Sequence, residues 1–194
     1  MLIQPIFSSF LAAKTLDVDN DKIISYCLSC NRDSEESDRT TLSGNEPELK
    51  QFFDQCVTAF NELHESLELH PELSHKIQKT WINYGDSTRT SDPHYHVTSD
   101  FVGVYYALAE EGSGNLNLRN PVSSSEYVFV SDTEHNVVNK FNQFNSQVYS
   151  IKPIQGDLVI IPSWLLHYVL PSNGAKRISI AVNSKMDKYK TNTN

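Results

Sequence analysis

The sequence predicts an α+β fold, mostly β, and three observations carry that expectation. Apolar residues recur at Leu49, Phe52, Phe53, Cys56, Val57, Phe60, Leu63 and Leu67, a single stripe with the 3.6-residue period of a helix. From Lys76 onward the pattern changes to short alternating runs with the two-residue period of strands, separated by turn residues. No internal repeat is visible. Helices first and seven or eight short strands after them describe a β-sandwich or barrel buttressed by helices. A chain of 194 residues suits one domain with a sizeable core.

Taken in order, residues 2–11 are apolar and read as an opening strand. Asp19 or Asn20 caps a short helix running to about Cys30, with Ile23, Ile24 and Leu28 turned inward. Residues 31–44 are polar and read as a surface loop. The long helix starts after Asn45, with Pro47 in its first turn, and Pro71 ends it. His64, His70 and His75 lie on or just after it with no common facing and read as surface residues. Residues 77–84 alternate as a strand. Residues 85–93 form a loop, and 101–108 a strand with Val102, Val104, Tyr106 and Leu108 on one face and Phe101, Gly103 and Tyr105 on the other. A turn at 110–114 leads to short strands at 115–119, 127–130, 147–151 and 158–161. Residues 131–145 read as an Asn-rich insertion in which His135 is a hydrogen-bonded core or surface residue rather than a ligand. The last strand spans 177–183 and a polar tail starts at Lys185. The expected division is therefore 1–75 for the opening strand and helices, 76–184 for the β core, and 185–194 for the tail.

The totals exclude several classes. The net charge is -8, and no Lys/Arg cluster of the kind a duplex-binding surface needs is present, so nucleic acid is not an expected ligand. No apolar run approaches the roughly 20 residues that span a bilayer, and the N-terminal residues lack the pattern of a signal peptide. The expected setting is cytoplasmic, with no membrane partner. Three cysteines are an odd count, and Cys27-Leu28-Ser29-Cys30 is a lone CxxC without the second pair a zinc ribbon uses. All three read as reduced structural thiols.

The chemistry gathers in two places. His94 and His96 in Asp92-Pro93-His94-Tyr95-His96 are two residues apart, so on a strand both imidazoles share a face. His167 follows the apolar run 158–162, and Arg177 follows ten residues later on an apolar strand, where a buried guanidinium needs an anionic partner. If the two strand sets face each other, three imidazoles and one guanidinium line one pocket. Imidazole suits Fe, Zn, Cu and Ni, and the planar guanidinium fork suits a carboxylate.

The order His-x-His, strands, His, then Arg-x-Ser resembles the iron(II)/2-oxoglutarate dioxygenases of the prolyl-hydroxylase-like superfamily. The resemblance is closer to one family of small oxygenases of bacteria and phages. It rests on Trp81-x-Asn83, Pro93-His94-Tyr95-His96, Gly103-Val104-Tyr105-Tyr106, Gly156-Asp157-Leu158-Val159-Ile160, Pro162-Ser163-x-x-x-His167 and Arg177-Ile178-Ser179-x-x-x-Asn183. It covers nearly the whole chain and is strongest over 79–183. It implies a double-stranded β-helix, jelly-roll or cupin-like. It also implies Fe(II) and 2-oxoglutarate as cofactors, O2 as co-substrate and ascorbate as a candidate reductant. His94, His96 and His167 would be the metal ligands. Arg177, helped by Ser179, would hold the far carboxylate of 2-oxoglutarate, with Tyr106 either donating its hydroxyl there or serving as core. Trp81 and Asn83 either line the mouth of the pocket or brace the sheet.

One position departs from the wider superfamily, where the second ligand is acidic: here it is His96. Either three histidines bind the metal, leaving the site one charge more positive, or one of His94 and His96 binds and Asp92, Asp100 or water completes the shell. The implied activity is hydroxylation of a small-molecule or peptide substrate, for instance a peptidyl or free amino-acid side chain. The alternatives are a cupin-like metal protein with 2-oxoglutarate-independent chemistry and a binding protein without catalysis. The sequence leaves the substrate and the oligomeric state open, a dimer included.

Overall fold

The computed structural model describes residues 9–34, 37–85, 91–122, 139–140, 142, 144–171 and 174–188. Among the described residues, ten strands and two α-helices run in the order β1 (Ala12–Thr15), α1 (Asn20–Ser29), β2 (Arg39–Leu42), a 3₁₀ turn (Pro47–Leu49), α2 (Lys50–Ser66), β3 (Leu73–Gly85), β4 (Ser91–His94), β5 (Phe101–Ala109), β6 (Leu116–Arg119), β7 (Val148–Ile151), β8 (Asp157–Pro162), β9 (His167–Val169) and β10 (Arg177–Lys188). They form two antiparallel sheets. One has six strands ordered β1-β8-β5-β10-β3-β2, the other four ordered β4-β9-β6-β7.

The helices cover one face of the large sheet. Asp19 caps α1 by accepting from the Lys22 N–H at 3.0 Å, which satisfies one of the donors that a helix start leaves open. The α2 stripe buries Phe52, Phe53, Cys56, Ala59 and Phe60 against Ile82, Tyr105, Ile178, Ile180 and Val182 of the sheet. The opposite face carries a second core. There Val102, Tyr106, Val159 and Ile161 meet Leu116, Leu118 and Leu165, which belong to the small sheet and the turn before β9. Each central strand thus shows one face to the helices and one to the small sheet, the reason its sequence alternates without becoming polar.

Several expectations change. The opening strand begins at Ala12; residues 9–11 lie outside it, and 2–8 lie outside the described residues, as do the predicted strand 127–130 and His135. Leu28 is 67% exposed and Cys27 takes the inward place. The 3.6-residue period puts Ile23 and Cys27, four apart, on one face and turns Leu28 off it. The expected loop 31–44 contains β2, whose Thr40 and Leu42 are buried while Arg39 and Thr41 are exposed. Leu108 packs with the helix-side core rather than with Val102 and Tyr106. The cause is a β-bulge: Ile178 pairs with Leu108 but Ser179 pairs with Tyr106, so Ala107 is the extra residue and reverses the alternation. β10 runs on to Lys188, past the start of the expected tail.

His64 and His75 are not on the surface; they are 4% and 3% exposed. The His64 Nε2–H donates to the His70 carbonyl at 2.9 Å, leaving His64 Nδ1 to accept from His75 Nε2 at 3.4 Å and His75 Nδ1 to accept from the Ser184 hydroxyl at 3.0 Å. The His75 ring stacks on Phe101 with centroids 4.7 Å apart. Burial, aided by His64, lowers the His75 pKa to about 4. Between roughly pH 6.5 and 4 the unfolded chain therefore binds a proton that the folded chain refuses. The neutral imidazole's full contribution is present above pH 6.5 and is lost as pH falls toward 4, to the extent of about 3 kcal/mol. Urea unfolding at pH 7.5 and pH 5 should show a smaller loss of stability in His75→Gln than in the wild type; identical pH dependence would contradict this assignment. Among the thiols, burial pushes Cys27 up to about 12 and raises Cys56 further, in keeping with inert, reduced cysteines.

Candidate metal centre and anion pocket

Strand pairing assembles the histidines. His94 ends β4 and His167 begins β9, and the two are directly opposed in the small sheet, with ring centroids 4.4 Å apart. His96 lies beyond the end of β4, so its place does not follow from strand alternation. Its backbone N–H donates to the Ser163 carbonyl at 2.8 Å, which holds it beside the turn that leads into His167. One potential ligand atom from each of the three rings lies within 4.8 Å of the others.

The tautomers follow from the partners. His94 Nδ1 meets the Asp92 carbonyl at 2.6 Å, His167 Nδ1 meets the Leu165 carbonyl at 2.8 Å and His96 Nδ1 meets the Asn183 side-chain oxygen at 2.9 Å. A carbonyl oxygen only accepts, so each Nδ1 carries the proton, and each neutral ring keeps a lone pair on Nε2. His96 Nε2 is buried with no partner among the described residues. Burial lowers the pKa of His96 and His167 to about 4 each, the neighbouring imidazoles adding to the effect. Three neutral nitrogen donors, each oriented by an outer hydrogen bond, fit a divalent transition ion. Asp100 is engaged elsewhere, accepting from the Met186 N–H at 2.6 Å and from Lys185 at 3.1 Å. Asp92 holds His94 through its backbone.

Asn183 was legible only as part of a motif, although it shares the β10 face of Arg177, Ser179 and Ala181 by simple alternation. The expected effect of Asn183→Ala is about 10–100-fold weaker metal binding, the usual cost of losing an outer partner of a ligand histidine. Asn183→Asp, which keeps an acceptor oxygen, should retain most of the affinity. Titration with Co(II) under argon separates these outcomes, and equal affinity in Asn183→Ala and the wild type would remove the positioning role.

The same cavity, of about 320 Å³, continues along the large sheet, where it is lined by Asn83, Arg177 and Ser179. Ser179 pairs with both Tyr106 and Asn83, so Tyr106, Ser179 and Asn83 form a row across β5, β10 and β3 on the cavity face. Arg177 starts β10 opposite Gly85, and a Cβ on Gly85 would stand 3.1 Å from its Nη2 and 3.2 Å from its Nε. The missing side chain makes room for the guanidinium. Gly114, at φ 80°, turns its carbonyl and that of Ser113 toward Arg177 Nη1, at 3.3 and 3.4 Å. Those contacts are long, and the buried Nε has no partner among the described residues. Arg177 is 9% exposed, and burial lowers its pKa while Tyr106 and Asp38 oppose the fall. An under-satisfied buried cation of this kind fits a carboxylate. Tyr106 is 2% exposed in the inter-sheet core, its phenol pushed up to about 12 by burial. Trp81 stacks on His96 with centroids 5.7 Å apart and donates its indole N–H to Asn83 at 3.0 Å.

Three converging imidazoles and a buried guanidinium between two antiparallel sheets make a candidate metal centre beside a buried cation. The chain belongs to the family described as "Putative 2OG-Fe(II) oxygenase", whose sequence pattern matches residues 79–183, more than half of its length. Its cofactors are ferrous iron and 2-oxoglutarate, and His94, His96 and His167 form a potential iron site. Similar solved structures include a Pseudomonas putida prolyl-4-hydroxylase, at 15% identity and a TM-score of 0.54, covering 90% of this chain and 87% of that one. The 2OG complex of the viral collagen prolyl hydroxylase from Paramecium Bursaria Chlorella virus-1 gives 14% and 0.54, covering 90% and 94%. The carbocyclase SnoK from nogalamycin biosynthesis gives 10% and 0.61, covering 91% and 79%. At these identities the likeness is one of fold. No curated protein matches the sequence. Among the described residues no helix is long and apolar enough to cross a membrane.

Proposed function

We propose that the protein is an Fe(II)/2-oxoglutarate-dependent oxygenase that hydroxylates an amino-acid side chain, peptidyl or free, on a double-stranded β-helix core. The observation that carries this reading is the pairing of three Nε2 lone pairs, each oriented by an Nδ1 hydrogen bond, with a buried guanidinium in the same cavity. In this reading His94, His96 and His167 hold the iron. Arg177 takes the far carboxylate of 2-oxoglutarate, Ser179 and the Asn83 amide complete that end, and Tyr106 walls it. Bound iron and 2-oxoglutarate supply the oxidising chemistry: O2 is consumed, 2-oxoglutarate loses CO2 to become succinate, and one oxygen atom enters a substrate C–H bond. The protein's part is orientation and exclusion of water. Val102, Val104, Leu116 and Val169 give the cavity apolar walls, and the stacked Trp81 fixes the plane of His96. The family match and the prolyl hydroxylases among the similar structures support this reading.

The test is anaerobic. Fe(II) and 2-oxoglutarate added together should produce a weak visible charge-transfer band that neither produces alone. Iron binding without that band would instead favour 2-oxoglutarate-independent chemistry at the same histidines.

A further inference from the structure

We propose that Arg39 is the substrate's carboxylate anchor and that the substrate is a free α-amino acid rather than a peptide segment. This inference rests on the oxygenase reading and names the substrate class of the same site.

Arg39 lies on β2, at the edge of the large sheet and outside the family-matched residues. It pairs with Asn83, which extends the row Tyr106, Ser179, Asn83 by one strand and puts Arg39 on the cavity face. Its guanidinium carbon sits 5.0 Å from the Trp81 ring, the ring that stacks on His96. The order is thus guanidinium, indole, imidazole, running from the mouth to the metal centre. Stacking on an indole fixes the guanidinium plane and leaves its N–H edges for a planar anion. Among the described residues that guanidinium makes no hydrogen bond or close ion pair; it lies over Trp81, with the Asp33 carboxylate near enough to feel its charge. Arg177 and Arg39 therefore present two cations to one cavity, the buried one suited to 2-oxoglutarate and the exposed one to a second acid.

Size and charge narrow the class. A cavity of about 320 Å³ is at the small end of ligand pockets, roughly 300–1,000 Å³, and it must also take 2-oxoglutarate. The mouth is lined by Asp38 and Asp92 as well as Arg39. A small molecule with both charges suits that lining better than a dianion, and a residue inside a peptide segment has neither a free α-carboxylate nor a free α-amino group to offer.

The experiment uses protein loaded with Mn(II) and 2-oxoglutarate under argon, in a Trp164→Phe background, where Trp81 is the remaining one of two tryptophans. Each of the twenty L-amino acids and its carboxamide is titrated, with Trp81 fluorescence as the readout. At least one acid should bind about tenfold more tightly than its amide, the scale of one charge-assisted contact at an exposed site. That preference should shrink with added salt. Arg39→Gln should abolish the preference while metal stoichiometry and 2-oxoglutarate affinity stay unchanged, and Arg39→Lys should keep part of it. Binding of none of the twenty, equal binding of acid and amide, or an undiminished preference in Arg39→Gln overturns the proposal. If Mn(II)-loaded protein fails to bind 2-oxoglutarate in the same preparation, the oxygenase reading fails instead.

Discussion

His167→Ala is expected to cost at least about 100-fold in metal affinity, more than the 10–100-fold typical of losing an outer partner. His167 is 4% exposed, its Nδ1 proton is held by the Leu165 carbonyl, and strand pairing sets it against His94. Without it two imidazoles remain, and a site of two neutral donors holds a divalent ion weakly. The measurement is Fe(II) or Co(II) titration under argon, with thermal unfolding as the control for loss of the buried ring. His135→Ala, in the polar stretch outside the described residues, should bind metal like the wild type. Equal affinity for His167→Ala and the wild type would show that the three histidines are not the metal centre.

Arg177→Ala is expected to weaken 2-oxoglutarate binding by about one to two orders of magnitude and to leave metal affinity nearly unchanged. A charge-assisted, two-pronged bond to a carboxylate contributes roughly 1.5–3 kcal/mol net, which sets that range. Arg177→Lys should fall between, since lysine keeps the charge and loses the fork. The residue opposes Gly85, and among the described residues its hydrogen bonds are two long ones to carbonyls, which suits it to take up an anion. Titration of 2-oxoglutarate into Mn(II)-loaded wild type, Arg177→Ala and Arg177→Lys reads the effect. Wild-type affinity in Arg177→Ala would remove it as the anchor.

Much of the scaffold was legible in the amino-acid order because its signals are local. The α2 stripe, the cap at Asp19 or Asn20 and the alternation of β5 follow from backbone geometry over a few residues; the structure keeps the stripe, places the cap on Asp19, and keeps the β5 alternation only as far as Tyr106. The candidate site was legible for a related reason. His94, His96, His167 and Arg177 are residue types that a mostly apolar strand region tolerates only with a purpose, and the cavity brings all four together. His64 and His75 misled because a histidine's burial depends on partners distant in the chain. Here these are the Ser184 hydroxyl and the Phe101 ring, neither of which local periodicity can announce.

The chain's own order therefore determined the elements, their apolar faces and the set of chemically costly residues, since periodicity and side-chain type are properties of short stretches. Only the tertiary structure decided which residues face one another. The Ala107 bulge sends Leu108 to the helices, and the β4–β9 register sets His94 against His167. The bond from His96 to Asn183 fixes a tautomer, and the β2–β3 register carries Arg39 to the mouth of the cavity. Strand register is a choice among non-local pairings, and a one-residue slip would turn every one of those side chains to the opposite face.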